Sequence, residues 1–227
     1  MTEYPYKIFV INICDERWKK YEHDNRFIRW IGCNGKEDLT LEWVNKNYHF
    51  YHNCNDNLRL NIAGCSESHL SCLKHIYEHK INNAIIIEDD TIIDLEKLYE
   101  YGLYHFLNDV CYIGGDFQPC KLKDQKTFTK PVFDTESLSL RKINNKSFLI
   151  SGAFGIFIPR WELAIRLMEK KGKKRRAIDV EWKNLQKKNV INLFVYPALV
   201  KLNMDVAMTG FTYNKNRYKL KSDLSLY

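Results

Sequence analysis

The stretch Ile85-Ile86-Ile87-Glu88-Asp89-Asp90, IIIEDD, decides how this chain reads. Consecutive β-branched isoleucines favour an extended strand buried on both faces. Unpaired carboxylates in the middle of such a strand would be too costly, so the strand must end where the acids begin. In open α/β sheets, ligands bind at the carboxyl ends of strands. Clustered acids there suit a hard divalent cation and the phosphates it carries. Side chains two apart share a face of a strand. Glu88 and Asp90 therefore point one way and Asp89 the other, so that one face could chelate a metal while the other holds a ribose. Solvated acids at a polar strand end are the plainer alternative.

The pattern around this strand is alternating. Strands are expected at Lys7 to Ile13, Phe27 to Cys33, Val110 to Gly114, Phe148 to Ile158 and Ile191 to Val195. Helices are expected from Asp15, a cap, to Tyr21, and at Leu39 to Asn45, Leu95 to Leu107, Trp161 to Lys170 and Asp179 to Lys187. Ser66 to His79 reads as a helix capped by Ser66, with Leu70, Leu73, Ile76 and Tyr77 on one apolar face. Asn53 to Asn61 reads as loop, Asn34-Gly35 as a turn, and Asp116 to Ser147 as loop and hairpin over the sheet face. Strand and helix in alternation predict an α/β fold, a mainly parallel Rossmann-type sheet flanked by helices, in a single domain. That domain is expected over 1–210, with a polar basic tail over 211–227.

Bulk properties narrow the class. With 227 residues, 45% hydrophobic and 14% aromatic, the chain can bury a core and is not a disordered sequence. A net charge of +7 favours phosphates, anionic membranes or acidic glycans without choosing among them. Seven scattered cysteines with no CxxC argue against a zinc site or a disulfide framework, and for buried free thiols in a reducing compartment. No leader and no apolar run of ~20 residues is evident, so a cytoplasmic location is expected, with peripheral contact to an anionic membrane surface allowed by the charge.

A second motif is Gly64-Cys65-Ser66-Glu67-Ser68-His69-Leu70. Placed at a helix start, its serines and His69 could hold an anion against free backbone N–H groups. Ordinary capping is the bland reading. Gly64-Cys65-x-x-Ser68-His69 followed by Glu88-Asp89-Asp90 resembles glycosyltransferase family 25, which includes bacterial lipooligosaccharide and animal procollagen galactosyltransferases and has similar members in large DNA viruses. Val10-Ile11-Asn12-Ile13, Arg17, Arg29-Trp30 with Asn34-Gly35, Ser151 to Ile156, Ile178-Asp179 and Tyr196 to Val200 follow the family's order. The chain departs from it in a short turn at Cys14-Asp15-Glu16, in Cys33 and in Ala198.

The resemblance implies a GT-A-like fold, a UDP-sugar donor carrying galactose or glucose, Mn2+ (or Mg2+), and a glycan or protein hydroxyl as acceptor. By position, Asp90 would be the main metal ligand, assisted by Asp89 or Glu88, with Asp205 a weaker protein ligand. Asn12, Arg17 and Asn34 would lie near the nucleotide, and Ser68 and His69 near the donor. Asp116, after two glycines, could bond a sugar hydroxyl. Asp179, with Glu181 second, would be the base of an inverting transfer.

Other signals carry less. His75 and His79 lack a third metal ligand. Lys170 to Arg176 (KKGKKRR) is basic but has no interleaved aromatics, so no nucleic acid is expected as a partner. A degenerate transferase fold that binds anionic glycan or nucleic acid is the rival to the enzyme. A metal-dependent nuclease has only the acids in its favour.

Overall fold

In the computed structural model, the described residues are 4–50, 54–120, 133, 137–170 and 172–203. In chain order the strands are β1 (Lys7–Asn12), β2 (Phe27–Ile31), β3 (Ala84–Glu88), β4 (Thr91–Ile93), β5 (Cys111–Tyr112), β6 (Asp116–Pro119), β7 (Ser139–Lys142), β8 (Phe148–Ser151), β9 (Gly155–Ile158), β10 (Leu193–Tyr196) and β11 (Val200–Leu202). The helices are α1 (Asp15–Trp18), α2 (Gly35–Asp38), α3 (Leu41–Asn47), α4 (Asp56–Glu78), α5 (Leu95–Tyr101), α6 (Leu103–Phe106), α7 (Ala164–Leu167) and α8 (Ile178–Lys187).

The main sheet has the order β2-β1-β3-β9-β5-β10-β7. β1 pairs in parallel with β2 and β3, and β5 with β10, whereas β9 and β7 run against their neighbours. This is the GT-A-like α/β arrangement expected. Ile85, Ile86 and Ile87 are fully buried, and their alternation feeds two cores. Ile86 packs with Phe9, Ile11, Leu73, Ile76 and Trp182, beneath α4 and α8. Ile85 and Ile87 pack with Ile8, Val10, Leu98, Leu103 and Val195 on the opposite face.

Several local expectations are corrected. The helix expected from Ser66 begins ten residues earlier, at Asp56, where the Asn55 side chain accepts from the Leu58 N–H at 2.9 Å. Asn-rich composition hid this start, but Leu60 and Ala63 pack against Val44 and Tyr48, and tertiary burial overrides weak propensity. Ser66 is therefore a mid-helix residue, not a cap. Asp15 is not a cap either: it opens α1, and its carboxylate faces Arg29. The turn at Asn34-Gly35 leads into the short helix α2. Phe148 to Ile158 is two strands, because Gly152, at φ 90°, turns β8 away to pair with β6 while β9 enters the main sheet. Gly102, in the left-handed conformation, breaks the helix expected over Leu95 to Leu107. Trp161 to Lys170 is a short 3-10 turn followed by α7. Asp205 and the tail over 211–227 lie outside the described residues. No helix among the described residues is long and apolar enough to cross a membrane.

Candidate functional site

β3 ends at Glu88, and the chain turns through Asp89 and Asp90 before returning as β4. The turn is fixed at several points. The Asp89 N–H donates to the Ile11 carbonyl at 3.1 Å, and the Asn203 N–H to the Asp90 carbonyl at 2.7 Å. The Thr91 hydroxyl donates to the Glu88 carbonyl at 2.7 Å. The acids thus sit at the carboxyl edge of β1, β2 and β3, and Glu88 and Asp89 diverge as strand alternation leads one to expect, while Asp90 lies in the turn beyond the strand.

Asp89 faces α1. It is buried, with one carboxylate oxygen accepting from Asn12 Nδ2 at 2.7 Å and the other from Arg17 at 3.1 Å. Asn12 Oδ1 accepts in turn from Arg29 Nε at 3.0 Å, and Arg29 pairs with Asp15. Asn12, Arg17 and Asp89 therefore form a clasp joining β1, α1 and β3. Each Asp89 oxygen thus accepts one protein hydrogen bond, which ties the carboxylate into the framework.

Glu88 faces α4. Its Oε1 lies 3.0 Å from His69 Nε2 and 3.8 Å from Cys65 Sγ. His69 is fully buried, edge-on to Trp182 at 5.5 Å between ring centres. Cys65 is exposed to the cleft, yet protein crowds its sulfur closely enough for desolvation to push its pKa well up, aided by Glu88, Asp179 and Asp90.

Asp90 is the strained member of the three. Its Oδ1 is buried without a hydrogen-bond partner among the described residues. Burial first, then the charges of Glu88 and Asp89, raise its pKa from 3.8 to about 6, against the pull of Arg17. An orphaned carboxylate oxygen beside a second carboxylate fits a hard divalent ion, which prefers oxygen ligands and would relieve the repulsion. Glu88 and Asp90 are the residues placed to hold one.

The GCSESH segment works differently from the anion site its sequence suggested. It lies inside α4, so it offers no free helix N-terminus. Gly64 allows α4 to touch the β2–α2 turn: a Cβ there would lie 2.6 Å from the Gly35 nitrogen and 2.8 Å from the Cys33 carbonyl. Ser68 Oγ accepts from the Cys33 N–H at 2.8 Å and donates to the Gly64 carbonyl at 2.7 Å. Ser66 Oγ accepts from the Ile178 N–H at 3.1 Å, which fixes the start of α8. Ser68 thus positions the turn that carries Asn34. Asn34 itself caps α2, accepting from the Lys36 N–H at 3.3 Å.

α8 brings Asp179 to the same cleft. Lys183 Nζ lies 3.3 Å from Asp179 Oδ2, and the Ser151 hydroxyl lies 3.5 Å from it. Ser151 pairs with Asp116 in the β6–β8 ladder, so Asp116 is a near neighbour. Gln186 holds α8 to β8 by bonding both the Ile150 N–H and its carbonyl, at 2.7 and 2.8 Å. Glu181 is turned the other way, buried, with Oε1 accepting from the Arg176 N–H at 3.0 Å. The basic loop is docked between α3 and the end of α7: Lys174 reaches the Asn45 carbonyl of α3, and Arg175 the Met168 carbonyl that follows α7. His49, Lys173, Lys174 and Arg176 line an open depression there.

Sequence reading missed Cys65, Arg29, Lys183 and Ser151 as site residues. Cys65 had a signal, since it stands one helical turn before His69. Lys183 had one too, standing four residues after Asp179 on α8, whereas Arg29 and Ser151 depend on contacts between separate elements.

No curated protein matches the chain. The family model described as glycosyltransferase family 25 (LPS biosynthesis protein) matches residues 7–153, which carry the Asn12–Asp89 clasp, the Gly64–His69 segment and all three acids. With well over half of its length matched, the chain belongs to glycosyltransferase family 25.

Proposed function

We propose that this glycosyltransferase is metal-dependent and inverting, and moves a hexose, galactose or glucose, from a UDP-sugar to a glycan or protein hydroxyl. The observation that carries the proposal is the Glu88–Asp90 pair with its orphaned Asp90 oxygen, at the carboxyl edge of the sheet and facing the same cleft as Asp179. Mn2+ or Mg2+, when held by Glu88 and Asp90, would supply Lewis-acid neutralisation of charge on the departing diphosphate. The clasp of Asn12, Arg17 and Asp89 shapes the nucleotide end of the cleft, with Asn34 at its rim.

Asp179 takes the acceptor's hydroxyl proton. As the acceptor oxygen bonds to the anomeric carbon, the bond from that carbon to the diphosphate oxygen breaks and its electron pair leaves with the nucleotide. Lys183 and Ser151 orient the Asp179 carboxylate, and Asp116 lies where a sugar hydroxyl would be bonded. Glu181 is placed to hold the basic loop, which leaves Asp179 as the base.

The test is nucleotide release from UDP-, GDP- and CMP-sugars, with and without Mn2+. Release from UDP-galactose or UDP-glucose that depends on Mn2+ is expected. Turnover of only another nucleotide, or turnover indifferent to metal, would reject the donor or metal assignment. Salt-sensitive polyanion binding with no turnover of any donor would favour the degenerate-module reading. Asp179→Asn is expected to lower transfer by about 100-fold, the lower end of general-base effects, with donor KM little changed. A loss confined to KM would instead make Asp179 a binding residue.

A further inference from the structure

We propose that Cys65, His69 and Glu88 form a site for a borderline-soft divalent ion, with Zn2+ the best-suited type. α4 sets Cys65 and His69 four residues apart, on one helix face and one turn apart. Glu88 arrives from the end of β3 and completes the triangle. His69 Nε2 lies 3.0 Å and Cys65 Sγ 3.8 Å from Glu88 Oε1, and all three ligand atoms fall within 4.8 Å of one another. A tetrahedral zinc ion with bonds of about 2.0–2.3 Å needs its ligand atoms roughly 3.3–3.8 Å apart. Small side-chain rotations close the difference.

The donor chemistry separates this site from the Glu88–Asp90 pair. One thiolate, one imidazole and one carboxylate favour zinc or cobalt, whereas Mn2+ and Mg2+ favour oxygen alone. Three protein ligands with the remaining position toward solvent is the pattern of an open rather than a closed zinc site. Cys65 is exposed and gives the ion a way in. His69 is buried against Trp182, so its ring is already held in place. Asp90 and Asp179 add negative charge nearby. On binding, the Cys65 thiol releases its proton to solvent as the metal–sulfur bond forms. Because Glu88 is common to both sites, an ion here would compete with the donor metal. That consequence rests on the transferase reading, but the binding does not.

Co2+ added to the full chain without nucleotide tests the site. The wild-type chain should develop a near-ultraviolet thiolate-to-cobalt absorption band that Zn2+ displaces. Cys65→Ser, at an exposed position, should abolish the band and weaken Zn2+ affinity by about 100-fold, the upper end of what loss of even an outer partner costs. His69→Gln should do the same, with thermal unfolding used to confirm that it folds. Asp90→Asn should keep the band. Absence of the band in the wild type, its persistence in Cys65→Ser, or its loss in Asp90→Asn would overturn the assignment. Sugar transfer is not read, so these outcomes stand apart from success or failure of the transferase proposal.

Discussion

Asp90→Asn is expected to cut metal-dependent sugar transfer by roughly 1000-fold while making the metal-free protein more stable. The activity loss follows from removing a charged ligand where transition-state charge must be neutralised, an electrostatic role of about that size. The gain in stability follows from the direction of the Asp90 shift. Its carboxyl keeps a proton in the folded chain up to about pH 6, whereas the ordinary value is 3.8. The folded state therefore binds more protons between these values, and stability falls as pH rises through that window. The cost is absent below the unfolded pKa and complete above about pH 6. Asparagine carries no charge to bury or repel. At neutral pH it should recover about 1–2 kcal/mol, the full shift discounted for solvent screening. Metal-free thermal unfolding from pH 4 to pH 7 checks this: the wild type should lose stability across the window, and the variant should show a flatter profile. A variant that loses activity and stability together would show that Asp90 serves the fold rather than a metal.

Gly35→Ala is expected to destabilise the protein by about 3 kcal/mol or more, at or beyond the usual range for overpacking. A Cβ on Gly35 would lie 1.9 Å from the Leu60 carbonyl oxygen and 3.2 Å from the Gly64 nitrogen. Both are backbone atoms of α4, so no side-chain rotation can make room. α4 must move off the β2–α2 turn. That would stretch the Cys33 N–H to Ser68 Oγ bond and displace Asn34. For a domain of this size, the loss corresponds to a Tm lower by roughly 6–12 °C. Thermal or urea unfolding measures it, and a wild-type midpoint would refute the tight Gly35–Gly64 approach. Gly172 makes a useful contrast. No atom of the described residues lies within 4 Å of its would-be Cβ, and its cost is confined to a φ of 96°.

How much was legible in the sequence differs by element. IIIEDD was readable because burial on both faces of a strand demands a continuous apolar run, and because charge cannot continue into it. The opposite aims of Glu88 and Asp89 followed from the two-residue period alone. The apolar face of α4 was visible from Leu70 onward, but its first turns were not. The Asn-rich start carries no period, and what makes it helical is Asn55 capping together with Leu60 and Ala63 meeting α3. The split of Phe148 to Ile158 was equally hidden. Both halves are apolar, and only Gly152 with its positive φ sends them into different sheets.

For the site, the sequence by itself determined which residue types were present and that the acids end a buried strand. Local periodicity and the cost of buried charge fix both. Only the tertiary structure decided what each acid does. Asp89 is held by Asn12 and Arg17, Asp90 has an oxygen with no partner among the described residues, and Glu88 is shared between His69 and Cys65. Those partners come from other strands and helices, and a carboxylate's role is set by what lies within about 4–6 Å in space, a range no local period encodes.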